Sequence, residues 1–278
     1  GPDAAAEALL AAALRACPSD RVVLDEVGEG YRMLKKPRAA LAVFDHGVQQ
    51  GLWHHPLQRV LKDFSPGLGS APLLPEAALD EFRGLRHVRE VVRSSWASLR
   101  REFLRVRLAQ KNGSTGSSSC YKNLHRCETG QRCWDAWPPR WREGSWSHYF
   151  VSSHDYCQFG SFPVLCDLVG RLRGQGHEVH LVAVTEVDGP ITHIPAHRSG
   201  VQWRLRLVCP LVVPRNSSSV LRFPGYGTKK FQERECWWFD ESYEHELIYR
   251  GPAFRSALIL DLRHPGLDGR AAGAGWAD

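Results

Sequence analysis

Beyond residue 178 the chain becomes a succession of short β-type runs, and this constrains its fold more than any other feature. Residues 180–187, 192–194, 203–213, 220–223, 236–239, 245–249 and 256–262 are apolar or alternating, and Gly, Pro, Ser and Asn stand between them. Several short strands with turn signals at regular spacing predict an all-β sandwich or barrel. In the third run Arg204, Arg206 and Val208 alternate with Leu205, Leu207 and Cys209. Successive strand side chains point to opposite faces, so that strand has one cationic face and one apolar face.

The first half reads differently. Residues 4–16 are strong helix formers, and 22–34 repeat apolar residues at helical spacing (Val23, Leu24, Val27, Tyr31, Leu34). Pro37 suits a helix start, and Leu41, Phe44 and Val48 continue the pattern over 39–48. The spacing Pro37, Ala40, Phe44 resembles the end of a tetratricopeptide unit, so residues 1–52 are expected to form a tetratricopeptide-like helical segment. Residues 53–278 are expected to hold a connector, a helical flank and a β core over about 178–265. Pro56, Pro66, Pro72 and Pro75 mark the connector; residues 76–110 and 164–173 carry helical periodicity. The polar stretch 112–119 reads as a flexible loop, and 120–160 is rich in Cys, Trp and His without clear period.

Composition excludes several classes. The chain has 278 residues, 43% hydrophobic and 24% charged, which is globular rather than disordered. The run 207–213 is broken by Pro210, and spanning a bilayer needs about 18 apolar residues, so no membrane insertion is expected. The charge of +6 is spread without a block of like charges, so nucleic acid is not demanded. No charged-then-apolar leader follows Gly1, which says nothing of the compartment. Five of the eight cysteines fall between 120 and 166, and Asn112 and Asn216 open glycosylation sequons. Both features point to the endoplasmic reticulum lumen or secretory pathway, with reduced cytosolic thiols as the alternative. Cys120, Cys127, Cys133 and His125 are poorly spaced for zinc; disulfides or free thiols fit better. Trp134, Trp137, Trp141 and Trp146 read as core packing or the lining of a substrate groove.

Three residues stand out by their place in the strand series. His197 precedes the cationic strand, His245 opens a later one 48 residues on, and Arg255 follows ten residues after that. Two imidazoles suit Fe(II) with open coordination positions, and the planar fork of Arg matches a carboxylate. This spacing resembles the signature of Fe(II)/2-oxoglutarate oxygenases. The usual carboxylate two residues after the first His is absent, since Ser199 stands there. The alternatives are structural histidines, and an ion pair of Arg255 with Glu244 or Glu246. His193 reads as a surface residue or a support to the others.

The wider context is more specific. Residues 197–206, Val212-Val-Pro214, Phe239-Asp-Glu-Ser-Tyr-Glu-His-Glu246, Arg255 and Asp261-Leu-Arg-His-Pro265 resemble the aspartyl/asparaginyl β-hydroxylase family. The resemblance is strong over 192–265 and loose before 178. It implies a mainly β fold with a helical flank, built on a double-stranded β-helix (jelly-roll). It also implies two His ligands without the carboxylate. His197 and His245 would hold Fe(II), Arg255 would clamp the far carboxylate of 2-oxoglutarate, and Arg206 would reach its other end. The implied enzyme is a dioxygenase that β-hydroxylates Asp or Asn in a protein substrate, an EGF-like domain. Two departures point to an alternative, a catalytically inactive member acting as a protein-binding scaffold. Val208 stands where the family tends to have His, and Glu186 where it tends to have Ser. On that alignment Glu186 would repel the dianion. A family disulfide near Cys157 and Cys166 is also implied.

Overall fold

The computed structural model describes residues 2–61, 64–68, 71–111, 121–122, 143–152 and 162–267. They fall into two compact units. The first comprises Gly1–Gly69 with the short segments Arg198–Trp203 and Glu241–Glu244; the second holds the rest.

In the first unit lie helices α1 (Pro2–Ala16), α2 (Arg21–Met33) and α3 (Pro37–Gln49). Asp20 caps α2 by accepting from the backbone N–H of Val22 and Val23 at 2.9 and 3.0 Å, and Pro37 opens α3 where its missing N–H costs nothing. Leu24, Val27, Tyr31, Ala40, Val43, Phe44 and Trp53 form the core of this unit. Gly28 is required there: a Cβ would lie 2.0 Å from the Phe44 ring. One cation is also fully buried. Arg59 donates to Asp25 at 2.7 Å, Glu29 at 2.5 Å, Glu244 at 3.1 Å and the Pro56 carbonyl at 2.6 Å, and its guanidinium stacks 3.7 Å from the Phe44 ring centroid. Arg32 and Arg198 supply second cations to Glu244 and Asp25.

In the second unit, helices α4 (Glu76–Glu81), α5 (Arg83–Ser94), α6 (Trp96–Lys111) and α7 (Pro163–Gly174) flank a nine-stranded antiparallel sheet. The strands are β1 (Tyr121–Lys122), β2 (Glu143–Ser152), β3 (Val179–His197), β4 (Arg204–Val212), β5 (Ser218–Phe223), β6 (Gly227–Lys230), β7 (Trp237–Phe239), β8 (His245–Arg250) and β9 (Arg255–Arg263). Their order is β6-β5-β8-β3-β9-β4-β7, with β2 added to β3 and β1 to β2. The runs expected at 180–187 and 192–194 are one strand. Gly189, at φ 99°, carries the backbone through a conformation that side chains resist, and β3 continues beyond it. The early part of β3 pairs with β9 and its last part with β8.

The sheet curls. Phe223 of β5 and Phe239 of β7 belong to opposite ends of the strand order, yet their rings lie 5.8 Å apart. Alternation then sorts residues to two faces. Val182, Val184, Leu205, Leu207, Trp238, Leu258 and Leu260 pack against Val88, Leu99, Phe103 and Leu168 of the helices. Thr185, Val187, Arg206, Val208, Trp237, Phe239, Arg255 and Asp261 have the opposite parity and face the inside of the curl. This unit is thus mainly β with a helical flank. Cys209 of β4 and Cys236 beside β7 form a disulfide, and Cys166 is also disulfide-bonded. Residues Cys120, His125, Cys127, Cys133, Trp134, Trp137, Trp141 and Cys157, the loop 112–119 and the Asn112 sequon lie outside the described residues, and Trp146 falls within β2. No helix among the described residues is long and apolar enough to cross a membrane.

Candidate active site

Strand register brings the two histidines together. A bulge between Ile194 and His197 precedes the end of β3, and His197 pairs directly with His245, the first residue of β8. Their ring centroids lie 4.5 Å apart. His245 is 3% exposed, with Phe239 at 5.1 Å and Phe223 at 5.9 Å between ring centroids. Nδ1 of His197 is 2.8 Å from the Pro195 carbonyl oxygen. A carbonyl only accepts, so Nδ1 carries the proton, and the neutral ring then has its lone pair on Nε2. That is the tautomer a metal ligand needs. No cluster of three or more His, Cys, Asp or Glu that could hold a metal forms among the described residues.

Arg255 opens β9 opposite Val187 of β3. It is 0% exposed, and none of its three guanidinium nitrogens has a hydrogen-bond partner among the described residues. Among the described residues the Phe231 ring lies against it, 4.2 Å from Cζ to the centroid. The ion pair with Glu244 or Glu246 does not form. Glu244 is held by Arg32 and Arg59, and Glu246 by His193 at 2.8 Å and by Arg222. Burial drives the Arg255 guanidinium down to about 9, with Tyr249 opposing. The group therefore stays cationic at neutral pH. A buried charge without a partner is strongly unfavourable, typically by several kcal/mol, and an anion relieves it. A fully buried guanidinium with three unused nitrogens is a site built for a carboxylate or similar anion.

An aromatic path joins this cation to the histidines. Phe231 lies against Arg255, Trp237 is 5.6 Å from Phe231, Phe239 is 5.7 Å from Trp237, and Phe239 adjoins His245. Trp237 and Ser219 each bury a polar atom, indole Nε1 and hydroxyl Oγ, with no hydrogen-bond partner among the described residues.

The remaining candidates are placed as follows. Arg206 faces the inside of the curl beside Phe239, but two of its nitrogens are engaged by Asp261, at 2.6 and 2.7 Å. Val208 is buried opposite Trp237 and Ile259. Glu186 does not face Arg255. It shares the parity of Val182 and Val184 and meets Arg107 of α6 through two contacts, at 2.7 and 3.1 Å. Repulsion of a dianion by Glu186 is thereby overturned, because the inward neighbours at this point are Thr185 and Val187. Counting alternation along 182–186 gives this result from sequence. Nothing in the spacing of Phe231, Trp237 or Ser219 marks them in the sequence.

Aspartyl/asparaginyl beta-hydroxylase of Homo sapiens is 33% identical over 78 residues, and its Mus musculus counterpart is 32% identical over the same length. These matches cover 28% of this chain and a tenth of each relative's length (10%). Among solved structures, a prolyl hydroxylase from Trichoplax adhaerens, in complex with a hypoxia inducible factor peptide fragment, superposes with a TM-score of 0.40. Its identity is 13%, and the match covers 70% of this chain and 96% of that one. A viral collagen prolyl hydroxylase from Paramecium Bursaria Chlorella virus-1 gives 0.31 at 10% identity, over 42% of this chain and 79% of that one. The model of the family described as Aspartyl/Asparaginyl beta-hydroxylase matches residues 93–265, which takes in both histidines, Arg206 and Arg255. That match covers more than half of the sequence, and the chain belongs to the aspartyl/asparaginyl beta-hydroxylase family.

Proposed function

We propose that this protein is a 2-oxoglutarate-dependent, Fe(II)-dependent hydroxylase of Asp or Asn residues in a protein substrate, with the curled sheet as its jelly-roll core. The observation that carries this reading is Arg255, a fully buried cation whose three nitrogens have no hydrogen-bond partner among the described residues. His197 and His245 fit Fe(II): two paired imidazoles, one with its lone pair on Nε2, leave coordination positions open. Fe(II), when bound there, supplies the oxidation chemistry with O₂ and 2-oxoglutarate. The chain's own residues bind, orient and exclude water. Arg255 takes the far carboxylate of the co-substrate. Phe223, Phe231 and Phe239 give the path between cation and imidazoles an apolar wall, which strengthens the pairing with Arg255. Arg206 is proposed at the other end of the co-substrate, oriented by its fork to Asp261. An EGF-like domain is the proposed substrate, and the secretory pathway the proposed compartment. The Cys209–Cys236 disulfide and the exposed Asn216 sequon support that compartment.

The test is incubation of the purified protein with Fe(II), 2-oxoglutarate, O₂ and a folded EGF-like domain bearing Asp or Asn. Succinate release coupled to the gain of one oxygen atom on that residue supports the reading. Its absence across Asp- and Asn-bearing domains, in iron-loaded protein that binds 2-oxoglutarate, overturns the EGF-domain assignment. Val208 and the engagement of Arg206 by Asp261 favour a second reading, a non-catalytic scaffold, for which 2-oxoglutarate does not bind at all.

A further inference from the structure

We infer that Trp237 is a co-substrate-positioning residue, its indole N–H donating to an oxygen of the 2-oxoglutarate that Arg255 holds. The inference rests on the oxygenase reading above and adds a residue to it.

Three observations carry it. Trp237 is 6% exposed and its Nε1 has no acceptor among the described residues, although a buried N–H is ordinarily paired. Its position on β7 gives it the inward parity: Trp238, its neighbour, packs with Leu207 among the helices, while Trp237 lies across from Val208. Its ring lies between Phe231, which stacks on Arg255, and Phe239, which adjoins His245. The orphan donor therefore stands midway along the path from the buried cation to the paired imidazoles. A ligand spanning that path carries carboxylate and keto oxygens, which only accept, and Trp offers only a donor. Val208 has no polar atom, so on this pair of facing residues the indole is the one group able to hydrogen-bond the ligand.

The experiment is calorimetric titration of 2-oxoglutarate into the Fe(II)-loaded protein without O₂. It compares wild type, Trp237→Phe and the double variant Trp237→Phe with Val208→His. Losing one hydrogen bond to a charged oxygen weakens binding about 10-fold. Trp237→Phe is expected to raise Kd by about that factor without lowering the melting temperature of the ligand-free protein, because the lost donor was unpaired there. A donor restored at the facing position 208 is expected to recover part of the affinity. A benzothiophene analogue at position 237 keeps the ring shape and deletes only the N–H, so it serves if the Phe variant does not fold. Unchanged Kd in these variants, with wild type binding, overturns the role of Trp237 and leaves the oxygenase reading standing. Absence of saturable binding to wild type at millimolar co-substrate overturns both.

Discussion

Replacing Arg59 by Met tests the least ordinary feature of the helical unit. The side chain is 0% exposed, so the substitution removes a charge that three carboxylates share: Asp25, Glu29 and Glu244. Taking one partner from a buried pair costs about 3–5 kcal/mol when the remaining charge is left alone. Here Asp25 keeps Arg198 and Glu244 keeps Arg32, while Met retains apolar contact with Phe44, so the low end applies. The expected loss is about 3 kcal/mol in urea unfolding. Glu244→Gln in the Arg59→Met background removes one of the buried carboxylates left short of a cation, and the cycle should show about 1–2 kcal/mol of coupling. Acid sensitivity supplies a second reading. Burial pushes the Glu244 carboxyl up, but Arg32 and Arg59 outweigh it and hold it below the usual carboxylate range. Its stabilising contribution is therefore complete above about pH 4.3 and is lost as pH falls through its lower folded value. Arg59→Met should make that acid decline shallower. An unfolding free energy within about 0.5 kcal/mol of wild type, the range of an exposed position, would refute the reasoning.

Opening the Cys209–Cys236 disulfide, with a sequence separation of 27, should cost about 3.5 kcal/mol from loop entropy, read as a lower melting temperature of the Cys209→Ala, Cys236→Ala variant. Glu186→Gln should leave the Kd for 2-oxoglutarate within about 2-fold of wild type, since its carboxylate faces Arg107; the cost should appear as about 0.5–1 kcal/mol of stability. Co-substrate affinity should also depend on pH through Arg255. Its folded value near 9 means that the cation is intact below that pH and is lost as pH rises through it, so affinity should fall about 10-fold per unit above roughly pH 9, measured by titration between pH 7 and 10.

The strands were largely legible because alternation and β-branched residues coincide in them. The runs read at 236–239, 245–249 and 256–262 match β7, β8 and β9 closely. Where that coincidence fails, the strand was missed. β6 is an edge strand of Gly, Thr and Lys with little to bury, and β2 lies in a stretch of mixed Trp, Ser and His without clear alternation. The loops of Gly189 and Pro190 looked like a break, yet a left-handed glycine lets one strand continue. At the site, the spacing of His197, His245 and Arg255 was visible, and register pairs the two histidines. What spacing cannot carry is the pairing of side chains. The fork that Asp261 forms with Arg206 depends on two strands meeting in one register. That the Arg255 nitrogens and the Trp237 indole lack hydrogen-bond partners among the described residues depends on the whole surrounding packing, which spacing does not carry.

The central claim is that a buried, unpartnered Arg255 and the pair His197 and His245 form one co-substrate site. Its most direct test is anaerobic addition of 2-oxoglutarate to Fe(II)-loaded protein, followed by the visible charge-transfer absorption of the chelate. The account predicts saturable, metal-dependent binding. It also predicts that Arg255→Met weakens this binding at least about 100-fold, as expected for a charge-assisted fork in a dry site, while His245→Ala abolishes the band. Equal binding in wild type and Arg255→Met, or no band in folded, iron-loaded wild type at millimolar co-substrate, would contradict it.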